Sequence, residues 1–198
     1  GKTTTMKMLT GFLPATSGSA TVAGFDVFDS PMDVKRSIGY LPEIPPVYPD
    51  LTVREYLRFV GKLKGLRGKT LKEHVDESIE KVSLQLVADR LIRNISKGYQ
   101  QRTGLAQSLL GKPKVLILDE PSSNLDMQFT KKVENFLIKE RNRIKIIMVT
   151  HDLFQAKRLA DEILFINDGE IIEVSTKNKF LKSKNKLIQK FLKEGVIY

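Results

Sequence analysis

Val115-Leu116-Ile117-Leu118-Asp119-Glu120-Pro121 is the stretch that decides the fold. Its first four residues are aliphatic with nothing polar between them. A run apolar on both faces and of strand length belongs in a parallel sheet covered by helices on both sides. Pro121 cannot donate to a sheet ladder and ends the strand. Asp119 and Glu120 then stand at the C-terminal edge of the sheet, where open α/β folds bind ligands. Asp119 is placed there to hold Mg2+ through water, and Glu120 to polarise a water attacking a γ-phosphate. A strand that simply ends in a polar turn fits this block about as well.

Outward from this strand, strand and helix alternate. Residues 114–118 precede a helical pattern over 126–140, and the apolar run 144–149 precedes another over 153–159. This is the pattern of a parallel sheet, with both strands expected to be apolar on both faces. Residues 163–166 and 170–174 flank Asp168-Gly169, a strong hairpin signal, so the sheet should end in an antiparallel pair. Between Leu51 and Leu110 the pattern is helical alone. Thr52-Val53-Arg54-Glu55 is a capping box with Leu51 and Tyr56 as its hydrophobic staple, and Thr70-Leu71-Lys72-Glu73 repeats the device. A helical subdomain is therefore inserted into an α/β core.

Composition bounds the rest. With 198 residues, 41% of them hydrophobic, the chain can bury the core of one domain with a subdomain. It has no cysteine, which excludes disulfides, zinc-thiolate sites and thiol catalysis and fits a reducing compartment such as the cytoplasm. No apolar run reaches membrane-spanning length, so at a membrane another chain must do the crossing. The formal charge of +10 suits ATP, acidic headgroups or nucleic acid. From Lys177 to Lys193 there are seven lysines and no acid, interleaved with Phe180, Leu187, Ile188 and Phe191. We read this as a basic amphipathic helix with a solvated lysine face rather than a membrane or nucleic-acid patch.

Three further blocks carry chemistry. Gly1-Lys2-Thr3-Thr4 matches the end of a phosphate loop, G-x-x-x-x-G-K-[ST], in which lysine reaches the β- and γ-phosphates and a hydroxyl ligates Mg2+. Taken alone it reads more readily as an exposed turn entering a helix. Ser96-Lys97-Gly98-Tyr99 opens a helix running to Leu110; Ser96 is a good N-cap, and the free N–H groups make an anion site. Thr150-His151-Asp152 ends the strand after Glu120, bringing His151 to the same sheet edge, in reach of a γ-phosphate. His74, mid-helix with no partner in view, illustrates the merely structural histidine.

Together, in this order and spacing, these features resemble the ATP-binding subunits of ABC transporters over the whole chain. The resemblance implies a P-loop NTPase core over 1–50 and 111–175, lacking its first strands and half of the Walker A loop. It implies a helical subdomain over 51–110 and a C-terminal helix over 176–198. Gly1, Lys2, Thr3 and Thr4 match the end of Walker A; Asp119 and Glu120 match Walker B; Ser123-Asn124-Leu125-Asp126 matches the D-loop; His151 matches the switch histidine. Ser96 and Gly98 match the signature motif, which in this family caps the ATP of the partner in a head-to-tail dimer. Glu43, in Tyr40-Leu41-Pro42-Glu43, falls where the Q-loop glutamine sits, and with Thr3 and Asp119 completes the expected Mg2+ set.

Three departures matter. Lys97 and Tyr99 replace a glycine and the glutamine of the signature, Glu43 replaces the Q-loop glutamine, and the chain opens inside the phosphate loop. The first two resemble exporters of the gliding-motility and drug or polysaccharide subgroup; the third implies an N-terminal truncation that weakens ATP binding or activity. The implied function is hydrolysis of ATP with Mg2+, by a dimer on the cytoplasmic face of a membrane, beside a separate permease chain. A rival is an ABC-type ATPase acting on nucleic acid. Only 53 positions separate Glu43 from Ser96, too few for a chromosome protein's coiled coil, so no nucleic acid is expected. A second rival is a non-enzymatic homologue, against which Lys2, Asp119, Glu120 and His151 all count.

Overall fold

The protein is described by a computed structural model covering residues 1–194. The chain opens with helix α1 (Lys2–Leu9), a short antiparallel pair β1 (Thr21–Val22) and β2 (Phe25–Asp26), and helix α2 (Pro31–Ser37). Three parallel strands follow along the sequence: β3 (Ile38–Leu41), β4 (Val115–Asp119) and β5 (Lys145–Val149), in the spatial order β3-β4-β5. Helices α3 (Val53–Leu63), α4 (Gly68–Lys81) and α5 (Lys97–Leu109) lie between β3 and β4 in sequence, and α6 (Met127–Glu140) between β4 and β5. After β5 come α7 (Leu153–Leu159), the antiparallel pair β6 (Glu162–Asn167) and β7 (Glu170–Thr176), α8 (Lys177–Phe180) and α9 (Lys186–Glu194).

Strand β4 is buried along its whole length, and its alternate residues enter two different cores. Leu116 and Leu118 pack with Tyr56, Leu57, Val75, Ile79 and Leu105 of the helices between β3 and β4. Val115 and Ile117 face Met6 of α1, together with Val34, Ile38 and Val149. Leu116, Ile117 and Leu118 are fully buried, each contributing about 1.5–3 kcal/mol of hydrophobic stabilisation. One strand thus binds α1 to one face and the helices between β3 and β4 to the other. Helix α5 also lies hard against β3: a Cβ on Gly39 would sit 1.9 Å from the carbonyl oxygen of Ser108, so only glycine permits this approach.

Helix α3 begins as its capping box dictates. Thr52 Oγ1 accepts from the Glu55 amide, and Glu55 Oε2 accepts from the Thr52 amide at 2.8 Å. The second box does not form. Helix α4 starts at Gly68 with Arg67 as its N-cap, and the Leu71 amide donates to the Arg67 carbonyl, which leaves Thr70 already inside the helix. His74 also departs from expectation, since its Nδ1 accepts from the Gly111 amide at 3.3 Å.

Two sheet expectations are corrected. Among the described residues β5 is paired on one edge only, and Lys145 and Ile147 are exposed, so its apolar run is not covered on both faces. The pair β6 and β7 turns at Asp168 and Gly169, both with positive φ as a primed hairpin turn requires. It forms a sheet of its own rather than extending the parallel one. The lysine-rich stretch makes two helices rather than one. Phe180 of α8 and Ile188 of α9 are buried against Phe165 of the hairpin, leaving Lys179, Lys186 and Lys193 exposed; residues 195–198 of the predicted helix lie outside the described residues.

Candidate functional site

At the C-terminal end of β4 the backbone turns sharply. Glu120 adopts a left-handed conformation with φ +49, a strained choice for a side chain of its size and one that persists only where the surroundings enforce it. Three hydrogen bonds do so. The Glu120 amide donates to the Val149 carbonyl of β5 at 3.0 Å. The Glu120 carbonyl accepts from the Ser123 amide at 3.0 Å and from Nε2 of Gln101, a buried residue of α5, at 3.3 Å. The turn therefore directs the Glu120 carboxylate away from the strand's own alternation, and His151 Nδ1 lies 2.9 Å from its Oε1.

His151 is held by its own turn at the end of β5. The Asp152 amide donates to Thr150 Oγ1, and Asp152 caps α7 by accepting from the amides of Phe154 at 2.7 Å and Gln155 at 3.1 Å. Gln155 then ties the two turns together: its Nε2 donates to Ser122 Oγ at 3.0 Å and to Glu134 Oε1 at 3.3 Å. Glu134 is gripped by Arg158, whose Nε donates to Oε2 at 2.9 Å, and this bond chiefly holds the Glu134 carboxyl below the ordinary carboxylate range. The imidazole itself is exposed while Glu120 is mostly covered, an arrangement in which the histidine faces whatever enters and the carboxylate is shielded.

Asp119 is 2% exposed, and its Oδ2 is buried without a hydrogen-bond partner. An orphaned buried carboxylate oxygen is costly unless a cation or a hydrated cation engages it. The donor chemistry at this position therefore fits Mg2+. Among the described residues no three acidic or histidine side chains gather as a metal cluster; the set here is one buried carboxylate beside the N-terminal end of the sequence's first helix, and Mg2+ is commonly held by one or two carboxylates together with substrate phosphates. Tyr40 of β3 occupies the same face, and its hydroxyl is likewise buried without a partner. Burial, with the Asp119 charge added, raises the Tyr40 pKa above its ordinary value.

The remaining predicted residues are placed as follows. Gly1 is the N-cap of α1, and Lys2, Thr3 and Thr4 form its exposed first turn; α1 packs on the Val115 and Ile117 face of β4, the face that Asp119 continues. Ser96 caps α5, its Oγ accepting from the Tyr99 amide at 3.4 Å. A Cβ on Gly98 would lie 2.9 Å from the Asn124 carbonyl oxygen, so glycine is needed for this contact with the segment expected to be the D-loop. Asp126 caps α6, accepting from the Phe129 amide at 2.9 Å. Glu43 is exposed in the segment after β3. The structure thus joins Asp119, Glu120 and His151 at one edge with α1 beside them, and sets Ser96 and Gly98 with the D-loop. Sequence reading missed Gln101, Gln155 and Tyr40; the pair Gln100-Gln101 after the signature was the one visible hint.

Comparison with known proteins identifies the family and the fold. The profile of the ABC transporter family matches residues 1–123. An uncharacterized ABC transporter ATP-binding protein of Bacillus subtilis is 40% identical over 171 residues, covering 86% of this chain and 56% of that protein. A bacitracin transport ATP-binding protein of Bacillus licheniformis is 37% identical over 176 residues, covering 87% of this chain and 56% of its own length. The chain thus spans about half the length of these relatives. Among solved structures, an ATP-binding cassette dimer in a post-hydrolysis state with ADP and phosphate superposes with TM-score 0.82 at 22% identity, covering 89% of this chain and 81% of that one. An ATP-binding subunit of an ABC transporter superposes with TM-score 0.83 at 24% identity, covering 92% and 76%. Both carry the same α/β fold.

Proposed function

This chain belongs to the ABC transporter family as an ATP-binding domain, and we propose that it hydrolyses ATP as one half of a head-to-tail dimer that powers a transporter. One observation carries this reading. Glu120 is held in a strained backbone conformation at the end of a buried parallel strand, with His151 Nδ1 2.9 Å from its carboxylate. Such strain survives at sites where geometry serves chemistry.

Each side chain has a role in this reading. Lys2, with the amides of the first turn of α1, binds the β- and γ-phosphates. Glu120 takes the proton of the attacking water, and His151 fixes that water against the γ-phosphate. Ser96 and Gly98 of the partner subunit close over the same phosphate, so the site is complete only in the dimer. Gln101 couples the two motifs within one chain, because it stands on the signature helix and holds the Glu120 carbonyl. Thr3, Asp119 and Glu43 are the side chains that would hold Mg2+. The ion, when bound, neutralises phosphate charge.

Substrate binding is expected to close the dimer and hydrolysis to reopen it, with the helical segment α3 to α5 passing the motion to a separate permease chain. The proline-rich stretch from Pro42 to Pro49 is the proposed contact, and it rests directly on that segment: Pro45 carbon atoms lie 2.6–2.7 Å from where a Cβ of Gly104 on α5 would stand. No described helix is long and apolar enough to cross a membrane, and a peripheral position on the cytoplasmic face is proposed. The variant signature around Lys97 and Tyr99, with the bacitracin transport relative, favours an exporter.

The test is ATP turnover by Glu120→Gln in a chain that carries the whole phosphate loop. Turnover should fall by about 10²–10⁴-fold, the usual worth of a general base, while ATP binding persists. Unchanged turnover would remove Glu120 from the mechanism.

A further inference from the structure

Of the four buried polar side-chain atoms without partners among the described residues, Tyr40 Oη and Asp119 Oδ2 belong to residues on one face of the sheet. Ile117 of β4 is directly paired with Tyr40 of β3. Asp119 lies two residues beyond Ile117, hence on the same side of the sheet and about 7 Å further along it. Packing agrees with this alternation, since Ile38, Tyr40, Val115 and Ile117 all belong to the cluster that contains Met6 of α1. Tyr40 and Asp119 therefore share the face of the sheet that packs on α1. Neither Tyr40 Oη nor Asp119 Oδ2 has a hydrogen-bond partner, although both are buried. They do not bond to each other.

Leaving a hydroxyl and a carboxylate oxygen buried and unpaired is costly at each atom. Water bridging is the usual remedy where a polar site has room for it. Phenylalanine would fill the same space in this apolar cluster without that cost, so the hydroxyl calls for a ligand.

We propose that Tyr40 is part of the cation site: its hydroxyl and Asp119 Oδ2 together hold one water of the hydrated Mg2+, which donates one hydrogen to each oxygen. Asp119 then holds the ion through a shared water, and Tyr40 sets where that water sits. Tyr40 is a positioning residue in this scheme, acting through water. The inference rests on the proposal that the chain binds Mg2+–ATP, and deepens it by adding a residue of β3 to the set named from the motifs.

The experiment compares wild type and Tyr40→Phe, in a chain with the whole phosphate loop, by electron paramagnetic resonance titration of Mn2+ in the presence of ATP. A parallel titration measures ATP binding in EDTA. The ring is retained, so the fold is too, and loss of an unpaired buried hydroxyl should leave thermal stability of the metal-free protein unchanged or raised. Affinity for Mn2+ should weaken about fivefold, the worth of one hydrogen bond, with ATP binding in EDTA unaltered. Equal Mn2+ affinity in the two proteins would overturn the proposal, as would equal losses with and without metal. A marked drop in metal-free stability would overturn it also, because the hydroxyl would then have a structural partner. If wild type itself bound no Mn2+–ATP, the failure would belong to the proposed function; a wild-type signal that Tyr40→Phe matches would sink only the role of Tyr40.

Discussion

Replacing Lys64 by methionine should stabilise the protein at neutral pH. Lys64 follows α3 and reaches back to the sheet, where its Nζ donates to the Ile38 carbonyl at 2.9 Å. Its burial lowers its pKa from 10.5 to about 8. The sign follows from proton counting. At neutral pH the folded and unfolded chains both carry the proton, so the cost of burying the charge is fully present. Between about pH 8 and 10.5 the unfolded chain binds more protons than the folded one, so stability rises with pH there. At 1.36 kcal/mol per pH unit over roughly 2.5 units, the cost at neutral pH is about 3 kcal/mol. Methionine keeps the apolar stem that packs beside Gly111, and it gives up one hydrogen bond of about 1 kcal/mol. The net gain is about 1–2 kcal/mol, to be read from urea unfolding midpoints. Near pH 9.5 the wild type has recovered about 2 kcal/mol and the advantage should vanish. A Lys64→Met protein less stable than wild type at neutral pH, or one whose advantage is the same at both pH values, would refute the reasoning.

Two other substitutions probe single features. Thr52→Ala removes the acceptor for the Glu55 amide and should lower stability by about 1 kcal/mol, seen as an earlier denaturant midpoint with unchanged slope. Glu120→Gly relieves the left-handed strain at this residue, worth about 1 kcal/mol or more; its thermal midpoint should rise while ATP turnover is lost, and a lowered midpoint would mean that the turn is not strained.

The features legible in the sequence are those fixed by near neighbours. The apolar run 115–118 needs no partner to announce a buried strand, Asp168-Gly169 makes its turn from its own backbone preferences, and Ser96 caps its helix within three residues of itself. What was hidden depends on pairs far apart in the chain. Tyr40 comes to share a face with Asp119 only through the register of β3 on β4, Gln101 reaches Glu120 because α5 packs across the sheet, and Lys64 finds Ile38 across 26 positions. The left-handed φ of Glu120 is imposed by bonds from β5 and α5, against the residue's own preference. Local rules also misled where they competed: Thr70 carries a capping-box pattern, yet Arg67 and Gly68 start the helix a turn earlier.

The central claim is that the site is completed across a dimer, by Ser96 and Gly98 of one subunit over the ATP of the other. The most direct measurement is the ATPase rate per subunit against protein concentration, for a chain with the whole phosphate loop, beside Ser96→Arg. A rate that rises with concentration and collapses in the variant, with ATP binding by the variant retained, is the predicted result. A concentration-independent rate that is indifferent to Ser96 would contradict it and place the whole catalytic site within one chain.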